Sequence, residues 1–451
     1  MSTALAYKYA APSALTRRAD HDELFLSEYS EVARRSGNCF FWGRLTEPFL
    51  LSRCLLALSR VVQSSFALSP AELAAMKDPI VTAGNERLRF EGFSRCAGVY
   101  ARVDVLPEGH AGEFPECGTT NVDFNAPMLQ ALNMTGRDER LVLSIGPREM
   151  GLYTAAGTVK ERKVPLPDKW IRGLTSVQIY QSASVCLHRF DRLQTLRLFQ
   201  TLPRGNVKAD YYLTLRAGRP LFSPIQSACA VCIGGIHRLR LLEPLLPYAE
   251  ALHVYAHPRM QTTVWQLRFH GLRFSLSLSR ECRRGFSGEG AALEALLEDI
   301  PAEWIQAMDN YSFANQQFNP TLFAIEHHID RRLAESLSAR LAAMGLLGFD
   351  LDDNAFFYRR LPFKLSRIMR LNPRMDNAGK LIAEGRIDLI SQTADRVEAR
   401  VMGSAGVRHT VVLDSQQARC TCQWSRSNEG ERGDCKHILA VKKLTEWKTN
   451  S

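Results

Sequence analysis

Four metal-binding side chains crowded near the C-terminus constrain this chain more than any other feature. Cys420-x-Cys422 is followed, after a gap of twelve residues, by Cys435-x-His437. Three thiolates and one imidazole are the ligands that tetrahedral zinc selects, and four protein ligands leave no position open for a reactive water. The pattern implies one structural Zn2+ held by Cys420, Cys422, Cys435 and His437. In an extended strand residues two apart share a face, so Cys420 and Cys422 can grip one ion from a strand end. Residues 425–434 between the pairs are polar and contain glycine, as a surface connection requires. Asp434 is placed to cap a helix that starts at Cys435.

The rest of the chain must be large and globular. At 451 residues, 45% apolar and 23% charged, it is long enough for about three domains with their own cores. The 57 basic against 47 acidic residues give +10, which suits an acidic partner without specifying one. The best apolar run, from Phe49 to Val62, is broken by Arg53 and Arg60, whereas a spanning helix needs about 20 mostly apolar residues. No membrane segment is therefore expected, and residues 1–15 lack the basic start and apolar run of a secretory signal. These readings predict a cytoplasmic protein whose eleven cysteines are reduced thiols or metal ligands. Cys229 and Cys232 have metal or redox spacing, with His237 nearby, but no second pair follows closely. A buried apolar element is the favoured reading there. The other scattered cysteines read as small buried hydrophobes.

Hydrophobic periodicity predicts an α+β, multidomain chain. Residues 1–95 read as a helical N-terminal region, with a stripe of Leu51, Cys54, Leu55, Leu58, Val61 and Val62 after Pro48, and a second start at Ser69-Pro70. Residues 96–205 read as a β-rich domain, with strands at 99–103, 141–145, 151–154 and 177–179. Residues 206–300 read as a second β-rich α+β unit, in which 267–278 form a hairpin of an antiparallel sheet open to water on one face. Residues 301–395 read as a helical, winged-helix-like unit. Its stripe is Ile325, Ile329, Leu333, Leu337 and Leu341, and its wing lies around Asp352, Asp353 and Asn354. Residues 396–451 complete a ββα zinc finger.

The Cys-x-Cys…Cys-x-His arrangement, with strands before it and a helix at its second pair, resembles the SWIM zinc finger. Residues 118–124, 163–167 with Trp170, 357–363 and 372–374 extend the likeness over most of the chain. There it is similar to bacterial SWIM zinc-finger family proteins encoded beside MoxR-type AAA ATPases and von Willebrand factor A domain proteins. The resemblance implies zinc binding and, as partners, an AAA ATPase and a von Willebrand A protein. No Walker loop, dinucleotide fingerprint or nucleophile elbow is present. Adjacent His327 and His328 on a helix point about 100° apart, too far to share an ion easily. A non-enzymatic protein-interaction adaptor is the expected function, with no catalytic residue. The alternative is a DNA- or RNA-binding protein that uses Arg359, Arg360, Lys364 and Arg367 after the wing and Lys436, Lys442 and Lys443 on the finger helix.

Overall fold

The computed structural model describes residues 14–17, 22–25, 39–64, 79–164, 166, 168–207, 209–227, 230–258, 262–282, 285–287, 295, 300–361, 373–403, 406–415, 417–428, 434–445 and 447. The chain divides into two compact units. The first comprises Met1–Leu166, Ser184–Gly285 and Arg359–Pro362, and the second Pro167–Ala183, Phe286–Tyr358 and Phe363–Ser451.

The first unit contains a short hairpin, β1 (Ala14–Arg17) and β2 (Asp22–Phe25), and then a β-α-β-β-β run used twice. The first run is β3 (Phe41–Leu45), α1 (Pro48–Gln63), β4 (Ile80–Gly84), β5 (Arg87–Phe93) and β6 (Val99–Val105). After β7 (His110–Glu113) the second is β8 (Gly118–Asn121), α2 (Ala126–Met134), β9 (Val142–Ile145), β10 (Glu149–Thr154) and β11 (Gly157–Arg162). Each run lends its first strand to the other's meander: β3 pairs β9, and β8 pairs β4. The later elements are β12 (Val185–Asp191), α4 (Arg192–Gln200), β13 (Tyr211–Arg216), β14 (Arg219–Ser223), β15 (Val231–Ile233), β16 (Ala251–Ala256), β17 (Thr262–Phe269) and β18 (Leu272–Ser279). The resulting sheets run β11-β10-β9-β3-β7, β14-β13-β15 and β12-β16-β17-β18-β6-β5-β4-β8.

This corrects three expectations. Residues 1–95 are not a helical region: among those described, α1 is a helix of the expected stripe, but β3, β4 and β5 surround it. The stripe made α1 legible because Leu51, Cys54, Leu55, Leu58, Val61 and Val62 are all buried. The supposed helix start at Ser69-Pro70 lies outside the described residues. The boundary at 205/206 does not separate two sheets, because β18 pairs with β6 over seven residues. The expected open face of the 267–278 hairpin is absent as well: every residue of β18 is buried, including Arg273, Ser275 and Ser277. Alternation told which residues share a face but not that the polar face would also be covered.

Where β3 meets β7, Gly43 lies opposite Gly112, and a Cβ on Gly43 would fall 2.2 Å from the Gly112 Cα. Gly43→Ala must therefore push two paired backbones apart. It is expected to lower stability by about 1–3 kcal/mol, measurable by urea unfolding.

In the second unit, α3 (Asp168–Ser182) replaces the strand expected at 177–179. Trp170, Ile171, Leu174 and Val177 are buried at helical spacing, and three residues were too few to reveal that period. Then come α5 (Ala302–Asn315), β19 (Gln317–Phe318), α6 (Pro320–Glu326), α7 (Arg331–Ala343), β20 (Leu347–Asp350) and β21 (Ala355–Tyr358), with strand order β19-β21-β20. The Gln178 side-chain oxygen accepts from the Phe349 backbone N–H at 2.8 Å, fixing α3 against β20. The predicted stripe does not hold across this region. Asp330, whose side chain accepts from the Arg332 backbone N–H as a cap, breaks it between two helices, the first of which starts at the Asn319 cap, which accepts from the Thr321 N–H, and Pro320. Ile325 is left 64% exposed.

The C-terminal part is α8 (Pro373–Ala383), β22 (Ile387–Gln392), β23 (Arg396–Met402), β24 (Arg408–Asp414), β25 (Ala418–Cys420), α9 (Gln423–Asn428) and α10 (Lys436–Thr445). The sheet is a meander, β22-β23-β24-β25. Its core joins Val397, Ala399, Val401, Val411 and Leu413 to Ile438, Leu439 and Val441 of α10 and to Ala378 and Leu381 of α8. The expected boundary at 395/396 therefore cuts through one folded body, which begins at α8. Among the described residues no helix is long and apolar enough to cross a membrane.

Candidate metal centre

Cys420 ends β25, Cys422 stands just before α9, and Cys435 stands just before α10, with His437 in its first turn. One ligand atom from each of the four lies within 4.8 Å of all the others, and all four residues are buried. The His437 Nδ1 atom is 3.7 Å from Cys420 Sγ and 3.8 Å from Cys435 Sγ. Tetrahedral zinc with Zn–S near 2.3 Å and Zn–N near 2.0–2.1 Å places sulfur and nitrogen about 3.6 Å apart. The residues fit the ion. Bound there, Zn2+ would supply four bonds that lock strand end and helix starts together.

The backbone prepares the sulfurs for charge. Cys420 Sγ accepts from the Cys422 N–H at 3.4 Å, Cys422 Sγ from the Ser425 N–H at 3.4 Å, and Cys435 Sγ from the Ile438 N–H at 3.5 Å. Hydrogen bonds to ligating groups fix their orientation and favour their charged form. Cys435 thus caps α10 itself. Asp434, expected as the cap, instead pairs its carboxylate with Lys442 Nζ at 2.7 Å. Burial lowers the His437 pKa to about 4, aided by His409 and Lys436, so its imidazole is neutral at pH 7 with a lone pair to give. The His409 ring lies 4.5 Å from it, centroid to centroid. The Cys435 thiol is pushed up by its hydrogen bond with Cys420 and then by burial, and Cys422 by burial. Metal must therefore displace these protons to bind.

Sequence reasoning placed Arg374 in the 372–374 segment and did not connect it, or Trp424, with the metal. The Arg374 guanidinium lies over the Trp424 ring, 4.7 Å from its centroid, and donates to the Asp434 carbonyl at 2.8 Å. An aromatic residue beside Cys422 was the only available signal.

The basic residues grouped for nucleic acid differ in their exposure and partners. Arg359 is a correction: it is 1% exposed and its Nη1 reaches Glu91 Oε1 and Oε2 at 2.7 and 2.6 Å, so it cannot touch phosphate. Lys442 is held by Asp434. Arg360 and Lys443 are exposed and Lys436 is half-buried, whereas Lys364 and Arg367 lie outside the described residues. Elsewhere Cys232 is buried and Cys229 lies outside the described residues. Among the described residues the C-terminal cluster is the one group of His, Cys, Asp and Glu arranged to hold a metal.

No curated protein matches the chain. Among solved structures it is similar to the crystal structure of Proliferating Cellular Nuclear Antigen from Entamoeba histolytica, at 9% identity and a TM-score of 0.36, over 53% of this chain and 98% of that one. The family description that matches is the SWIM zinc finger, over residues 409–444, and that span holds all four ligands.

Proposed function

We propose that this protein is a zinc-stabilised, non-enzymatic adaptor that presents protein-binding surfaces. The closed ligand set carries this reading: four buried protein ligands leave the metal no site for substrate or water. The helix-strand-helix-helix-hairpin order of residues 302–358, with strand order β19-β21-β20, supports reading a winged-helix-like unit there, a fold that serves protein contacts as well as DNA. Its surface favours protein. Phe313, Leu322 and Ile325 are 60%, 53% and 64% exposed, and the turn between β20 and β21 carries Asp352 and Asp353, which would repel phosphate. The partners proposed are an AAA ATPase and a von Willebrand A protein, and the proposed compartment is the cytoplasm, where free thiols persist.

The nucleic-acid alternative retains Arg360, Lys436 and Lys443. Binding to several phosphates would give a log–log salt slope of about −0.9 per contact. The expected result is co-purification with the AAA ATPase in ATP, unchanged by nuclease. A steep salt slope with nuclease-sensitive retention, and no ATPase recovered, would instead establish the alternative.

A further inference from the structure

The ligand set stands on two legs, and one side chain from outside the matched span touches both. Trp424 follows Cys422 by two residues, and Asp434 immediately precedes Cys435. Arg374, on α8, stacks over the first and donates to the carbonyl of the second. Asp434 is fixed a second time by Lys442 of α10. Ala378 and Leu381 bury α8 in the same core as Ile438, Leu439 and Val441, which holds the arginine in place.

We propose that Arg374 is a positioning residue for the metal, setting the separation of the Cys420/Cys422 leg from the Cys435/His437 leg before the ion arrives. This rests on the zinc reading and extends it to a helix that lies before residue 409. A fixed separation spares the binding step the entropy of ordering two legs. A planar guanidinium can stack and donate at once, which a lysine ammonium does less well. Partners that orient metal ligands are commonly worth 10–100-fold in affinity.

The test uses the full chain with Arg374→Met, Arg374→Lys and, as an independent break of the same contact, Trp424→Leu. Zinc affinity is measured by chelator competition, the Co2+ absorption spectrum reports ligand geometry, and urea unfolding of the metal-free proteins reports bare stability. Arg374→Met should bind zinc about 10–100-fold more weakly, with altered Co2+ bands, and Arg374→Lys should recover part of the loss. Trp424→Leu should shift the same bands. Affinity within about threefold of the parent and unchanged bands in both the Met and Leu variants would overturn the inference, as would an affinity loss no larger than the loss in metal-free stability. A parent that binds neither metal would sink the zinc reading together with this inference, whereas an intact parent beside unaffected variants sinks this inference alone.

Discussion

Cys435→Ser should reduce bound zinc to a trace and strongly destabilise the C-terminal body. Serine offers a hard, protonated oxygen in place of a thiolate, and the remaining three ligands leave an open coordination position. The side chain it replaces is 2% exposed and also accepts the Ile438 N–H at the start of α10. Metal binding in small zinc modules carries on the order of 10 kcal/mol of folding free energy, so without it the core of β22–β25, α8 and α10 is left only marginally stable. Hydrogen exchange should show protection weakened across residues 373–447 and kept in the first unit, which has a core of its own. Cys420→Ser should behave alike, and chelation should reproduce both. Retention of stoichiometric zinc by either variant, or loss of protection throughout the first unit, would contradict this account.

The second large effect is expected at Arg359→Met. Arg359 and Glu91 form a fully buried pair, and the Tyr100 hydroxyl donates to the same carboxylate at 2.5 Å. Burial alone would raise the Glu91 pKa, but Arg359, then the Tyr100 hydroxyl and Arg102, outweigh it and hold it below the usual glutamate range. Burial and the neighbouring Glu91 push Tyr100 the other way. Removing the arginine strands a buried carboxylate, at a cost of about 3–5 kcal/mol. Because the native Glu91 pKa is lowered, its contribution is present above the ordinary glutamate pKa and lost as pH falls through the folded value. In Arg359→Met the carboxyl gains by protonating, so the stability gap from the parent should widen between acidic and neutral pH. Glu91→Gln with Arg359→Met should recover much of the loss, since no buried charge is left unpaired. Urea unfolding of the full chain at two pH values measures all of this. A change within about 0.5 kcal/mol, as an exposed arginine would give, would refute the pairing.

Arg359 also shows where sequence reading fails. In the primary structure it sits among Arg360, Lys364, Arg367 and Arg370 and reads as part of a basic patch. Its partner Glu91 is 268 residues away, and no local pattern links the two. A different failure occurs at Val177 and Ile179, which short-range alternation placed on a strand, although Trp170, Ile171, Leu174 and Val177 make a buried helical stripe. Alternation in β18 marked its two faces correctly and said nothing of what would cover the second.

The sequence by itself determined the metal chemistry, because ligand type and spacing are properties of a short stretch of chain. It also determined α1, the 267–278 hairpin and the strands leading to Cys420, whose periods run long enough to be read. Only the tertiary structure decided that β3 and β8 exchange meanders, that α3 joins the second unit and that α8 belongs to the finger. It likewise decided that Arg374 braces the ligands while Arg359 is sealed inside. These depend on which distant surfaces are buried together, a free-energy balance over the whole chain that no local window contains.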